Sequence, residues 1–124
     1  ISMLTNGNEE REFLYAEDCC RGLEIIMKKF DSIIKQKNYI DLTTFKSTKI
    51  INIAKIIKTL LKKMSLEVSI VPSKNKDIVQ KNKKNKADKY FLKFWKPKNS
   101  IHEGIEQVLK YYIAQYKKIS NCQI

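Results

Sequence analysis

A chain of 124 residues is long enough for one domain and too short for two of ordinary size. Its apolar content of 43% supports a packed core without a disulfide or metal. With only 3 Gly and 2 Pro, a collagen-like chain is excluded and a turn-rich β-sandwich is disfavoured. No run of about 18 apolar residues is present that could cross a membrane. We therefore expect an all-α domain, a compact bundle of about five helices.

The net charge of +12 is unevenly distributed along the chain. Residues 46–98 contain 16 Lys and three acidic residues, a net charge of +13, whereas residues 1–45 have a net charge of −2. Such a field attracts acidic partners and accelerates their association. Because 23 of the 25 basic residues are Lys, diffuse attraction is favoured over the reading of base edges, which suits Arg. An A+T-rich coding sequence would also produce a Lys-rich chain, and both explanations stay open.

The domain organisation follows from where the helical period begins and ends. Residues 1–8 are rich in turn-forming residues and have no period, which predicts a disordered terminus or a cloning scar. Apolar residues recur at helical spacing over much of residues 9–118, which we interpret as a single helical domain. Residues 119–124 are then a tail.

The first part of this domain has apolar residues every three or four positions from Glu9 to Ile34. This period predicts one long helix, or two abutting helices joined at Gly22. Acidic residues, beginning with Glu9, would complement the helix dipole in the first turn. Asp41 can cap a further short helix that begins near Leu42.

The central part contains the clearest amphipathic pattern, with apolar residues at i, i+3, i+4 and i+7 over residues 50–61 and Lys largely off this stripe. The period then changes over residues 65–76, where Leu66, Val68 and Ile70 alternate with polar residues before a proline. This pattern predicts an extended loop. Its apolar side chains either pack under the core or remain available to a partner.

Two helices are expected in the C-terminal part. Aromatic residues at helical spacing over residues 87–95 predict a helix that ends before Pro97. Ser100 and Glu103 have the spacing of a capping box, which predicts the start of the last helix. The expected buried face of that helix consists of Ile105, Val108, Leu109, Tyr112 and Tyr116.

The sequence shows no arrangement typical of catalysis or metal binding, and we predict neither an enzyme nor a cofactor or metal site. The sole His102 falls in the predicted capping box, where a solvated role is expected. Cys19 and Cys20 lie on or beside the apolar stripe, which favours buried structural thiols. The 3 Cys show neither a disulfide framework nor the paired spacing of a metal site, which indicates a reducing, intracellular compartment.

Four segments carry a resemblance to known domains. Residues 40–56 (IDLTTFKSTKIINIAKI) resemble the central helices of the N-terminal domain of transcription elongation factor TFIIS. Residues 87–96 (ADKYFLKFWK) resemble the signature that follows in that family. Residues 104–116 (GIEQVLKYYIAQY) and 20–26 (CRGLEII) are similar to helices of the integrase-binding domain of lens-epithelium-derived growth factor, which belongs to the same superfamily. Together the segments span residues 15–118.

The resemblance implies a compact right-handed helical bundle that serves as a protein–protein docking module. Such modules occur in nuclear proteins of transcription elongation and chromatin, and they bind short disordered segments in which Phe stands among acidic residues. The connection over residues 62–86 is longer and richer in Lys and Asn than usual. The acidic loop residue with which the growth-factor branch holds a partner's backbone has no clear counterpart, and Glu17 and Asp18 are the nearest candidates.

The residues themselves suggest where such a segment would bind. The apolar side chains of the predicted loop could form a shallow slot that Leu14 and Tyr15 close from the other side, while neighbouring Lys would meet the acidic residues of the partner. We expect the chain to be a monomer. The predicted partner-binding residues are Leu14, Tyr15, Leu66, Val68, Ile70, Val71, Lys62, Lys63, Lys74 and Lys76.

Two other functions stay open. The chain could be a Lys-rich domain that binds nucleic acid weakly and non-specifically, although a solvated charged face would have the same composition. It could also be a structural helical segment whose apolar stripe is completed by another chain. The candidate nucleic-acid-binding residues are Lys81, Lys83, Lys84, Lys86 and Lys89.

Overall fold

The computed structural model describes residues 1–37, 39–77 and 87–121, except for the side chains of Ile34 and of residues 118–121. Within these ranges the chain is predominantly helical, as predicted, but it also contains a small two-stranded sheet, so the all-α class and the count of five helices are not confirmed. The elements are β1 (Glu10–Glu12), α1 (Ala16–Lys28), α2 (Phe30–Ile34), β2 (Ser47–Lys49), α3 (Ile50–Lys63), a 3₁₀ helix (Tyr90–Lys93) and α4 (Ile101–Asn121).

The sheet replaces the predicted start of the first helix. β1 pairs with β2 in antiparallel register, with Arg11 opposite Thr48, and α1 begins only at Ala16. The period that extended back to Glu9 was therefore misleading, because a three-residue strand is stabilised by a partner strand that lies far away in sequence.

The predicted joint at Gly22 is also wrong, since α1 runs through this residue and the break comes at Lys29. Gly22 is buried, and a Cβ placed there would come within 2.5 Å of Leu42 Cδ1. The glycine is therefore required for close packing of α1 against the segment that contains Leu42. That segment forms no helix, because Phe45 has a positive φ of 57° and the Asp41 carboxylate accepts a hydrogen bond from the distant Asp88 N–H at 2.6 Å.

The amphipathic helix α3 is confirmed. Ala54 and Leu60 on its apolar stripe are buried, while the Lys off the stripe are exposed. The first N–H groups of α3 are not capped by a side chain. Instead, Ile51 N–H donates to the Gly7 carbonyl at 2.9 Å and Ile50 N–H donates to the Glu9 carbonyl at 3.1 Å, which satisfies donors that lack a partner within the helix.

The N-terminal residues are paired, and the prediction of a disordered terminus over residues 1–8 is wrong. Residues 1–6 run alongside residues 69–75, with a parallel bridge between Ser2 and Val71. Met3 N–H donates to the Val71 carbonyl at 3.0 Å, and Val71 N–H donates to the Ile1 carbonyl at 2.9 Å. Composition could not reveal this pairing because every bond in it is made by the backbone.

The main core is aromatic. Ile33, Phe91 and Trp95 are almost fully buried, and the rings of Phe91 and Trp95 stack with centroids 5.8 Å apart. The predicted helix over residues 87–95 is reduced to the single 3₁₀ turn, but its predicted apolar positions do enter the core.

The capping box of α4 is confirmed. Ser100 N–H donates to Glu103 Oε2 at 2.7 Å, and Glu103 N–H donates to Ser100 Oγ at 3.2 Å. These bonds from Ser100 lower the pKa of Glu103. Of the predicted buried face, Ile105 and Leu109 are half-buried, whereas the exposed residues are Val108 (43%), Tyr112 (66%) and Tyr116 (74%).

The difference in length between α3 and α4 accounts for these exposed side chains. A helix of 21 residues is about 31 Å long, against about 21 Å for the 14 residues of α3. The second half of α4 therefore extends beyond the helix against which it packs. The helix continues to Asn121, so residues 119–121 of the predicted tail are helical, and the rest of the tail lies outside the described residues.

Candidate functional site

The predicted loop lies on the surface beside α3. Leu66 is 44% exposed and Val71 is 56% exposed, whereas Val68 and Ile70 are half-buried. A depression with a volume of about 400 Å³ opens next to Val68. We call this region the loop surface, and define it as residues 66–71 together with the α3 residues that line the depression. The depression is lined by Lys58, Lys62, Glu67, Val68 and Ser69.

The course of the loop is set by the end of α3. Ser65 has a positive φ of 61°, Leu66 N–H donates to the Leu61 carbonyl at 2.9 Å, and Ser65 N–H donates to the Lys62 carbonyl at 3.1 Å. These two bonds form the Schellman motif that commonly ends a helix. Because the position is usually glycine, a serine there gave the sequence analysis no signal.

The loop surface carries positive charge on its α3 side. Lys58 and Lys62 are exposed, and no ion pair within the described ranges involves either of them. Sequence reasoning had found Lys62 but not Lys58, although the two lie one helical turn apart and share a face. Lys74 and Lys76 are exposed further along the loop.

Lys63, which was also predicted for this site, is exposed but acts on α4. The pKa of Glu106 is lowered, first by its hydrogen bond and ion pair with Lys110, and then by weaker contributions that include Lys63. Lys63 therefore contributes its charge to the α3–α4 contact and does not line the depression beside Val68.

The two residues expected to close the slot lie elsewhere. Leu14 and Tyr15 line an apolar cavity of about 400 Å³, which we call the α3–α4 cavity. The Tyr15 ring packs against the backbone of Gly104, and its hydroxyl donates to Gln107 Oε1 at 2.9 Å. Among the described residues the two sides of the predicted slot do not share one pocket. The α3–α4 cavity is lined by Phe13, Leu14, Tyr15, Ala16, Thr44, Ile53, Ile57, Asn99, Ser100, Ile101, Gly104, Ile105, Val108 and Leu109.

Of the two acidic candidates for holding a partner's backbone, Asp18 is fully buried. Its carboxylate accepts hydrogen bonds from Arg21 Nη2 at 2.5 Å and Lys98 N–H at 3.1 Å. The backbone and side-chain N–H groups of Asn99 donate at 2.9 and 3.1 Å. Burial raises the pKa of Asp18, but these donors together outweigh it and leave the pKa lowered. Its oxygens are occupied by its own chain, and only the exposed Glu17 remains as a candidate.

The candidate nucleic-acid residues fall largely outside the described ranges. Lys81, Lys83, Lys84 and Lys86 are in the segment 78–86, which the structure does not describe, and Lys89 is exposed.

The described residues offer no cluster of three His, Cys, Asp or Glu that could hold a metal ion. His102 is half-buried in the first turn of α4. Cys19 is half-buried and Cys20 is exposed, so the prediction of buried thiols is wrong for Cys20. Over the same ranges, every helix is too short or too polar to cross a membrane.

The loop surface thus combines apolar side chains, two unpaired Lys and an extended backbone in one region, and it is the described region whose chemistry is closest to that of a peptide-binding site. No family model matches the sequence, and no curated protein is significantly similar to it.

Proposed function

We propose that the chain is a non-catalytic docking module that binds short, disordered, acidic segments containing Phe at the loop surface. The observation that carries the proposal is the position of Val68 in a depression that two unpaired Lys of α3 also line, between the exposed Leu66 and Val71. Apolar and cationic groups side by side are complementary to a segment that alternates aromatic and acidic residues.

The two halves of this chemistry would make different contributions. Insertion of an aromatic side chain beside Val68 would supply most of the affinity, because aromatic anchors dominate small interfaces. Lys58 and Lys62 would mainly raise the association rate. Since a disordered partner must be ordered on binding, we expect a micromolar Kd, about −7 to −8 kcal/mol.

We also propose that this module is a right-handed bundle related to the N-terminal domain of TFIIS, in a nuclear protein of transcription elongation or chromatin. In support, α3 lies within the first matching segment and the aromatic residues of the segment 87–96 enter the core. The β1–β2 sheet, the single 3₁₀ turn and the internal use of Asp18 are departures from the expected pattern. The proposed relationship therefore depends on helix order more than on detailed geometry.

The test of docking is fluorescence anisotropy with a labelled peptide in which one Phe stands among Asp and Glu. We expect micromolar binding that is lost when this Phe is replaced by Ala. In the protein, Val68→Asp should weaken binding by about tenfold or more, because it places a carboxylate in the apolar part of the site.

The matched control is Met27→Asp, which adds the same charge at another exposed apolar residue, on α1. It should leave the Kd unchanged, and circular dichroism should show equal helicity in both variants. Unaltered binding by Val68→Asp, or equal weakening by Met27→Asp, would contradict docking at the loop surface.

Non-specific nucleic-acid binding is the competing function, favoured by the net charge of +13 over residues 46–98. It predicts binding of duplex or single-stranded DNA that weakens steeply with salt and does not depend on Val68. Retention of DNA at near-physiological salt by both the parent chain and Val68→Asp would support this function in place of docking.

A further inference from the structure

The outer edge of the loop is occupied by the chain's own N-terminal residues. Residues 1–6 and 69–75 are joined by five backbone hydrogen bonds of 2.6 to 3.1 Å, which run from Ile1 and Ser69 at one end to Asn6 and Asn75 at the other. Each segment both donates and accepts. The loop therefore already binds one extended strand, in a parallel direction, through its backbone.

This internal strand contributes few side-chain contacts. Leu4 is 92% exposed and Ile1 is 38% exposed, so two of its three largest apolar side chains remain substantially in contact with water. Met3 is the exception, since its methyl group lies so near Gly7 that a Cβ there would come within 2.4 Å of it. Backbone hydrogen bonds exposed to solvent contribute modestly to stability, and a competing strand could form equivalent ones.

The pairing can open without disturbing the elements that follow. Gly7, with a positive φ of 75°, and Glu9 are held separately, because their carbonyl groups cap α3. Residues 10–12 are held in the sheet with β2. Residues 1–6 can therefore leave the loop while residues 7–12 keep their contacts.

From these observations we infer that residues 1–6 act as a placeholder strand, and that the acidic, Phe-containing partner binds by adding an extended strand to the 69–75 edge in their place. This inference rests on the proposed function and specifies its binding mode. Strand addition uses backbone bonds for affinity and side-chain pockets for specificity. The incoming Phe would fill the depression beside Val68, and its acidic neighbours would meet Lys74 and Lys76.

A pair of variants at Met3 isolates the backbone contribution. Met3→Ala and Met3→Pro both remove the side chain, but only proline also removes the N–H that donates to the Val71 carbonyl. We expect Met3→Pro to bind the anisotropy peptide about fivefold more tightly than Met3→Ala, because a larger fraction of its molecules has a free edge.

Amide hydrogen exchange gives a second readout that does not need the peptide. In Met3→Pro the Val71 and Ser73 amides should exchange faster than in Met3→Ala. Addition of peptide to the parent chain should expose the Met3 and Asn6 amides while Val71 and Ser73 stay protected, since the partner's carbonyls would replace those of residues 1–6.

The outcomes separate the two proposals. If the parent chain and both variants fail to bind the peptide, the docking function is overturned. If all three bind with equal Kd, or if the Met3 and Asn6 amides stay protected in the complex, docking is retained and strand replacement is overturned.

Discussion

The chain joins distant segments in two contrasting ways. At the Asp18 junction, one fully buried carboxylate receives four hydrogen bonds from Arg21, Lys98 and Asn99 and so ties α1 to the start of α4. At the N-terminal pairing, residues 1–6 and 69–75 are joined by backbone bonds alone, at the surface. The first junction depends on a single side chain that no other residue type can imitate, whereas the second can accept any extended strand. Buried side-chain junctions therefore fix the fold, and exposed backbone pairing leaves room for exchange.

The largest expected effect comes from breaking the Asp18 junction. Asp18→Ala should lower the free energy of unfolding by about 3 kcal/mol, because Arg21 loses its ion-pair partner and the N–H groups of residues 98 and 99 lose their acceptor. Urea denaturation measures this loss. Glu17→Ala, an exposed neighbour in the same first turn of α1, is the control and should cost much less; equal losses in the two variants would remove the contrast.

The same junction should respond to acid. Since the folded-state pKa of Asp18 lies below its ordinary value of 3.8, the unfolded chain takes up its proton first, and stability falls with decreasing pH. The contribution is complete above about pH 5 and is lost as the pH falls through 3.8 towards the lowered pKa. The difference in unfolding free energy between the parent chain and Asp18→Asn should therefore shrink below pH 4. A difference independent of pH would show that the charge of Asp18 contributes nothing.

A smaller and stabilising effect is expected where α3 turns into the loop surface. Ser65→Gly should raise the free energy of unfolding by about 0.5–1 kcal/mol, because glycine adopts the positive φ of this position without strain. Ser69→Gly is the control, and it should not stabilise the chain because Ser69 is not among the residues of positive φ. Thermal denaturation of both variants checks the prediction, and stabilisation by Ser69→Gly would refute the conformational explanation.

The smallest effect is expected in the N-terminal strand itself. Leu4→Ala should change the free energy of unfolding by less than about 0.5 kcal/mol, since the side chain is 92% exposed. Leu60→Ala, at a residue that is 2% exposed, should cost about 3 kcal/mol in the same urea titration. A large loss from Leu4→Ala would mean that residues 1–6 are held by side-chain packing after all.

What the sequence could predict was local. The stripe of α3 and the Ser100–Glu103 capping box depend on residues within a few positions of one another, and both were found. The β1–β2 sheet, the packing of Leu42 on Gly22 and the buried role of Asp18 depend on residues that are 20 to 81 positions apart. One-dimensional periodicity carries no information about such contacts.

The candidate site was predictable to a similar extent. Alternation over residues 66–70 identified an apolar loop, and Lys62 was assigned to it. The distant Leu14 and Tyr15 were misplaced because their position depends on how α4 packs. The strand formed by residues 1–6 gave no signal, since its bonds involve no particular side chain.

The capping of α3 by the Gly7 and Glu9 carbonyls has a consequence for digestion of the folded chain. An exopeptidase or a non-specific protease acting at this end would remove the loosely held first residues with little resistance. It would then meet a backbone whose removal strips a helix of its cap, and trimming should slow sharply near residue 6. The fragment that accumulates would mark the border between the exchangeable strand and the part of the chain that holds the domain together.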